Sequence, residues 1–205
     1  MVHCGKVKYF VAYLLTGEAK AYHERLTRAL ANRYRIFPLH EKVSPHITVK
    51  APFETDEEGI REVERVLRAF AHGEKAPPLS IRGFGHFGFR TAYLDIGKSA
   101  DAVSLIRRAV QTLNENISWM QKIPTEGNKL HASVARFMDR IQYRRVMRYL
   151  AKEKASFDVS LDNIAILRKT SKVWEVISVV PFQRGGTEWT LGGKFTTTGK
   201  RVHAH

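Results

Sequence analysis

Cysteine is nearly missing from this chain. Its 205 residues hold one, Cys4, so no intramolecular disulfide is available and no cysteine set exists for a zinc site. A single thiol fits a reducing cytoplasm, and Cys4, ahead of the first structured element, is a poor nucleophile candidate. Long apolar runs are missing too. None approaches the roughly 20 residues that span a bilayer, and no signal-peptide pattern opens the chain: Val7 to Leu15 is apolar but contains Lys8 and runs straight into a helical pattern. The expectation is a cytoplasmic protein without membrane segments. Two common catalytic signatures are absent, the GxxxxGK[ST] phosphate loop and the Gly-x-Ser-x-Gly elbow. Acidic residues are scarce: 20 Asp and Glu stand against 34 Lys and Arg, a net charge of +14. That balance favours a polyanionic partner, nucleic acid before membrane, or serves only solubility.

What is present is ordinary core material, 43% apolar with 26% charged residues, enough for one domain or two small lobes. Val7 to Leu15 reads as a buried strand. Glu18 to Tyr34 reads as a helix with Tyr22, Leu26, Ala29, Leu30 and Arg33 on one face. Pro38 and Pro45 bracket a loop, and a strand from His46 is expected to end at Pro52. Helix Asp56–Phe70 follows, with acidic residues suited to its positive end, then two strands, Leu79–Phe89 and Thr91–Ile96. The order then repeats: helix Ala100–Ile117, a loop with Pro124 and Gly127, a strand from Leu130, helix Asp139–Lys152, and two long strands, Phe157–Arg168 and Lys172–Phe182. We therefore expect an α+β fold, a single bilobal unit over residues 1–182 built by internal duplication. Its lobes would be about 7–97 and 98–182, with antiparallel sheets lining a central cleft and helices outside. Residues 183–205, rich in Gly and Thr, are an extension, either loose or an added hairpin.

Two short stretches carry the chemistry. Pro45-His46-Ile47-Thr48-Val49 and Leu130-His131-Ala132-Ser133-Val134 share one order: histidine, apolar, hydroxyl, apolar. Side chains alternate faces along a strand, so His46 and Thr48 share one face while Ile47 and Val49 enter the core; His131 and Ser133 do the same. His131 follows His46 by 85 residues, close to half the ordered chain. A lone histidine of this kind is usually a core residue, but the paired context argues for a site. Two such strands across a cleft bring two imidazoles and two hydroxyls around one small space. With an ordinary pKa of about 6.5, histidine serves as acid or base near neutrality. Zinc is disfavoured, because each strand offers one ligand; His203 and His205 near the end would bind metal only adventitiously.

These motifs, His46-Ile-Thr48-Val and His131-Ala-Ser133-Val followed by Ala135-Arg136, resemble those of the 2H phosphoesterase superfamily, in particular its LigT-like branch, the RNA 2′,3′-cyclic phosphodiesterases also called 2′-5′ RNA ligases. The resemblance covers about Val7 to Phe182. Lys50-Ala51-Pro52-Phe53 departs from the Phe-Leu-Gly run common there, which leaves the substrate open. The resemblance implies a metal-independent enzyme without cofactor, opening 2′,3′-cyclic phosphates at RNA ends to 2′-phosphates, with reversible 2′-5′ RNA ligation beside it. It implies His46 as proton donor, His131 as proton acceptor, Thr48 and Ser133 as hydrogen-bond donors to the phosphate, and Arg136 as a nearby charge or else a solvated strand-end arginine. Phe53, Phe84 and Phe87 are candidates to stack on a base, or core. The alternatives are a phosphodiesterase for a small cyclic nucleotide or 2′-5′ oligonucleotide, or a non-catalytic RNA-binding module. Basic clusters (Arg25, Arg28, Arg33, Arg35; Arg107, Arg108; Arg140, Arg144, Arg145, Arg148) are solvated helix faces or an RNA track. A monomer is expected.

Overall fold

The computed structural model describes residues 5–97, 99–123 and 129–183; the Pro124–Gly127 loop, Cys4, His203, His205 and nearly all of the expected extension lie outside them. Eight strands and four helices follow in the order β1 (Val7–Leu14), α1 (Gly17–Tyr34), β2 (His46–Thr55), α2 (Glu57–His72), β3 (Pro78–Phe87), β4 (Thr91–Ile96), α3 (Ala100–Asn116), β5 (His131–Arg136), α4 (Arg140–Leu150), β6 (Ser156–Ser160), β7 (Asn163–Lys169) and β8 (Trp174–Pro181). Side-chain caps begin three of the helices. Asp56 accepts from the Gly59 amide, Ser99 from the Ala102 amide, and Asp139 forms a reciprocal capping box with Gln142.

Two four-stranded sheets result, ordered β2-β1-β7-β8 and β5-β4-β3-β6, and their strand pairs are antiparallel. The fold is α+β, as expected. The repeat is visible in the sheets: β1-α1-β2 matches β4-α3-β5, and in each copy the histidine strand lies at a sheet edge. The sheets do not divide the chain near residue 97. β3 and β4 pair with the later strands, and β7 and β8 return to β1. The helices interlock likewise: α1 lies against β5 and β6, and α2 against β2, β7 and β8. One contiguous core runs through both sheets, from Tyr9, Val11 and Tyr13 to Ile81, Leu94 and Ala132.

Two expected strands are corrected. Phe157–Arg168 is broken at Leu161-Asp162, because β6 and β7 belong to different sheets. Buried Asn163 secures the turn: its amide nitrogen donates to the Leu14 carbonyl and its amide oxygen accepts from the Leu14 amide, both at 3.0 Å. The second correction is at Pro52, which does not end β2. The register against β1 slips twice, between Ala12↔Thr48 and Val11↔Lys50 and again before Tyr9↔Phe53. An edge strand with a bulge tolerates a proline that has no amide to donate.

Candidate active site

The edge strands β2 and β5 of the two sheets touch. At their junction lies a cavity of about 270 Å³, lined by Phe10, Val43, His46, Thr48, Pro52, Phe87, Thr91, His131, Ser133, Arg136 and Trp174. Strand alternation puts His46 and Thr48 there while Ile47 and Val49 are buried in the core; likewise His131 and Ser133 line it while Ala132 and Val134 are buried. His46, Thr48, His131, Ser133 and Arg136 therefore meet in one place. Phe53 does not join them. It keeps the parity of Ile47 and Val49, because the two slips in register cancel, and its ring packs near Tyr9 (6.3 Å between centroids) and Trp119 (5.9 Å). The first slip, between Thr48 and Lys50, sends Lys50 inward, where its ammonium donates to Asn114 Oδ1 at 3.0 Å and the Gln121 carbonyl at 2.6 Å. Of the other aromatic candidates, Phe87 lines the cavity and Phe84 packs against the core.

The two histidines are held alike. His46 Nδ1 lies 2.8 Å from the Ser44 carbonyl, and His131 Nδ1 lies 3.0 Å from the Lys129 carbonyl, each two residues upstream. A carbonyl only accepts, so each Nδ1 carries a hydrogen, and each Nε2 is left to exchange a proton with a ligand. Rings support both: Phe10 sits 5.0 Å from His46, and Phe87 and Tyr93 sit 4.8 and 5.3 Å from His131. Burial above all, with smaller contributions from His23, Arg136 and His131, pulls the His46 pKa down to about 4. Burial, Arg136 and Lys129 also lower that of His131. The Arg136 guanidinium is itself partly desolvated and lowered. The cavity is thus a place where positive charge is disfavoured and an anion is wanted.

Sequence reasoning missed three contributors. Phe10 and Trp174, edge to face at 4.7 Å, form the wall behind His46; Phe10 belongs to a small second core with Ala12, Ala165 and Leu167, so β1 is packed on both faces. His23 is the third. The inner face of α1 is Ala19, Tyr22, His23, Leu26, Thr27, Leu30 and Ala31, with Arg33 exposed and Ala29 half-buried. The stripe is rotated from the expected one toward β5. His23, 3% exposed, donates from Nε2 to the Ser133 carbonyl at 2.7 Å, on an edge strand whose outer backbone groups need partners. Its place at the three-and-four spacing with Ala19 and Leu26 was the available signal. Burial pulls its pKa down to about 4.

A wider hollow of about 730 Å³ lies elsewhere, at the start of α2. It mixes Glu54, Asp56, Glu58 and Glu62 with Lys6, Arg61 and Arg65, and it carries no histidine. Among the described residues no three His, Cys, Asp or Glu side chains converge to hold a metal, and no helix is long and apolar enough to cross a membrane.

Known proteins share this fold. A Geobacillus protein (strain WCH70) that carries a phosphoesterase name is 21% identical over 196 residues, 95% of this chain and 98% of its own. Among solved structures, LigT of E. coli complexed with 3′-AMP superposes with a TM-score of 0.59 at 10% identity, over 87% of this chain and 99% of that one. TT0787 of Thermus thermophilus gives 0.56 at 16% identity, over 86% and 98%. At such identities the likeness shows the fold. The family model of the 2′-5′ RNA ligase superfamily matches residues 18–172, a span that contains both histidine strands, and the chain belongs to that superfamily of 2H phosphoesterases.

Proposed function

We propose that this protein is a metal-independent cyclic phosphodiesterase that opens 2′,3′-cyclic phosphates at RNA ends to 2′-phosphates. One observation carries the reading: two imidazoles with matching backbone bonds leave both Nε2 atoms for ligands in one cavity that also holds two hydroxyls and a guanidinium. One imidazole takes a proton from water as its oxygen attacks phosphorus. The P–O3′ bond breaks, and the other imidazole protonates the departing 3′ oxygen. Each transfer contributes roughly 10²–10⁴-fold. Thr48 and Ser133 donate hydrogen bonds to the non-bridging oxygens, and Arg136 balances their charge. With a ribose 5′ hydroxyl in place of water as the attacking group, the same step joins RNA by a 2′-5′ linkage, and its reverse re-forms the cyclic phosphate.

Family resemblance makes His46 the donor and His131 the acceptor. Without a bound anion the ordering opposes this, since the larger depression is at His46. The assignment therefore requires the negative charge of the bound phosphodiester to raise His46 against the effect of its burial. A second reading, a small cyclic nucleotide as substrate, draws support from the cavity's size: about 270 Å³ is at the lower edge of ligand pockets, which begin at about 300 Å³. The test is incubation in EDTA of an end-labelled RNA carrying a 2′,3′-cyclic phosphate, beside the free cyclic mononucleotides. A 2′-phosphate product from the RNA supports the proposal. Turnover of mononucleotides alone moves the substrate to the second reading, and a requirement for added zinc refutes the mechanism.

A further inference from the structure

We infer that single-stranded RNA leaves the histidine cavity over an adjoining ridge of arginines and aromatic rings; the inference rests on the phosphodiesterase reading above. Three connections meet beside the cavity: the end of α1 (Arg35 to Phe37), the β3–β4 turn (Gly88 to Arg90) and the loop from β5 to α4 (Phe137 to Asp139). Contacts tie them together. Phe37 and Phe137 meet edge to face at 5.2 Å, the Met138 backbone amide donates to the Arg90 carbonyl at 3.3 Å, and the Gln142 side chain donates from Nε2 to the Arg35 carbonyl at 3.4 Å. The guanidinium of Arg136 lies 4.9 Å from the Phe137 ring, and that of Arg140 lies 5.1 Å from the Phe89 ring.

Three properties distinguish this ridge from ordinary surface. Its rings are bare: Phe137 is 57% exposed, and Phe37 and Phe89 are each 36% exposed. Its backbone is held in an unfavourable form, with Arg35 at φ +50 and Phe137 at φ +59, the left-handed region that bulky residues avoid. Its charge is unbalanced. Arg61, Arg68, Arg82, Arg108 and Arg168 each pair with a carboxylate; among the described residues Arg35, Arg90, Arg136 and Arg140, like several arginines elsewhere, pair with none, and here they stand among bare rings. Exposed rings interleaved with free guanidiniums suit a strand of nucleotides, whose bases stack and whose phosphates need cations. The ridge is also continuous with the cavity, since Arg136 pairs in register with Thr91 and both line it. A cavity of about 270 Å³ takes the reacting end of an RNA and leaves the neighbouring nucleotides to be held outside.

The test compares wild type, Phe37→Ala/Phe137→Ala and Arg140→Ala on two substrates, a free 2′,3′-cyclic mononucleotide and a ten-nucleotide single-stranded RNA ending in that group. None of the three residues lines the cavity. The wild type is expected to favour the RNA in kcat/KM. The variants should lose that preference by on the order of tenfold or more, through KM, because stacking is worth that much per base. Their rates on the mononucleotide should stay unchanged. Fluorescence anisotropy with the same RNA carrying a 2′-phosphate end reads the ridge without turnover. Binding should weaken in both variants, and Arg140→Ala should reduce the salt slope by about one. If the wild type turns over neither substrate but the variants still lose RNA binding, the ridge stands and the enzymatic reading falls. RNA bound equally well by all three proteins overturns the inference and gives the ridge to some other partner, such as a protein.

Discussion

His23 makes the fold sensitive to acid, and the size of the effect follows from its surroundings. The imidazole is 3% exposed and donates one hydrogen bond to the Ser133 carbonyl. Burial pulls its pKa from 6.5 to about 4. The unfolded chain protonates this residue near pH 6.5, while the folded chain resists until about pH 4. The stability due to the neutral form is therefore complete above pH 6.5 and is lost as pH falls toward 4. At 1.36 kcal/mol per pKa unit, the loss is about 3 kcal/mol, a large part of a typical total of 5–15 kcal/mol. His46, also lowered, adds a loss of the same sign. The assay is urea unfolding at intervals between pH 4 and 7.5 for wild type and His23→Gln. Glutamine keeps an amide donor for the Ser133 carbonyl but does not titrate. The wild type should weaken steeply below pH 6.5, and His23→Gln should weaken less. Identical slopes in the two proteins would refute the reasoning, because the titrating group would then lie elsewhere.

Other expectations concern the cavity. The profile of kcat/KM against pH should be bell-shaped and centred below 6.5, since both free imidazoles are lowered; the limbs of kcat should lie at higher pH, because the bound anion raises both groups. A centre at or above pH 7 for kcat/KM would contradict the electrostatics. Arg136→Met should shift that centre upward, by removing a charge that lowers both histidines, and should cut kcat/KM roughly 10- to 100-fold, the worth of one hydrogen bond to a charged group. The double variant Thr48→Val/Ser133→Ala should lower kcat while unfolding in urea much as the wild type does; a loss confined to KM would remove the hydroxyls from the transition state.

The parts of this protein legible in sequence are those governed by local periodicity. Alternation in His46-Ile-Thr48-Val and His131-Ala-Ser133-Val placed four site residues on the correct faces, and the helices were found within two residues at their ends. What escaped depends on contacts distant in sequence. Nothing local to Phe157–Arg168 says that residues 156–160 and 163–169 join different sheets; that break follows from β7 pairing with β1. In sequence Phe53 is a base-stacking candidate beyond a strand expected to end at Pro52; β2 instead continues through the proline, with two slips in register against β1, and carries Phe53 on the side of Ile47 and Val49. His23 and Trp174 reach the site from α1 and β8, elements with no histidine motif of their own.

The central claim is that His46 and His131 act together as acid and base on one phosphodiester. Its most direct test is kcat for His46→Ala, His131→Ala and the double variant on an RNA 2′,3′-cyclic phosphate, with folding checked by urea unfolding. Each single variant should lose roughly 10²–10⁴-fold, and the double variant little more than the worse single, as groups acting in one step are not additive. A single histidine variant that turns over like the wild type would contradict the account.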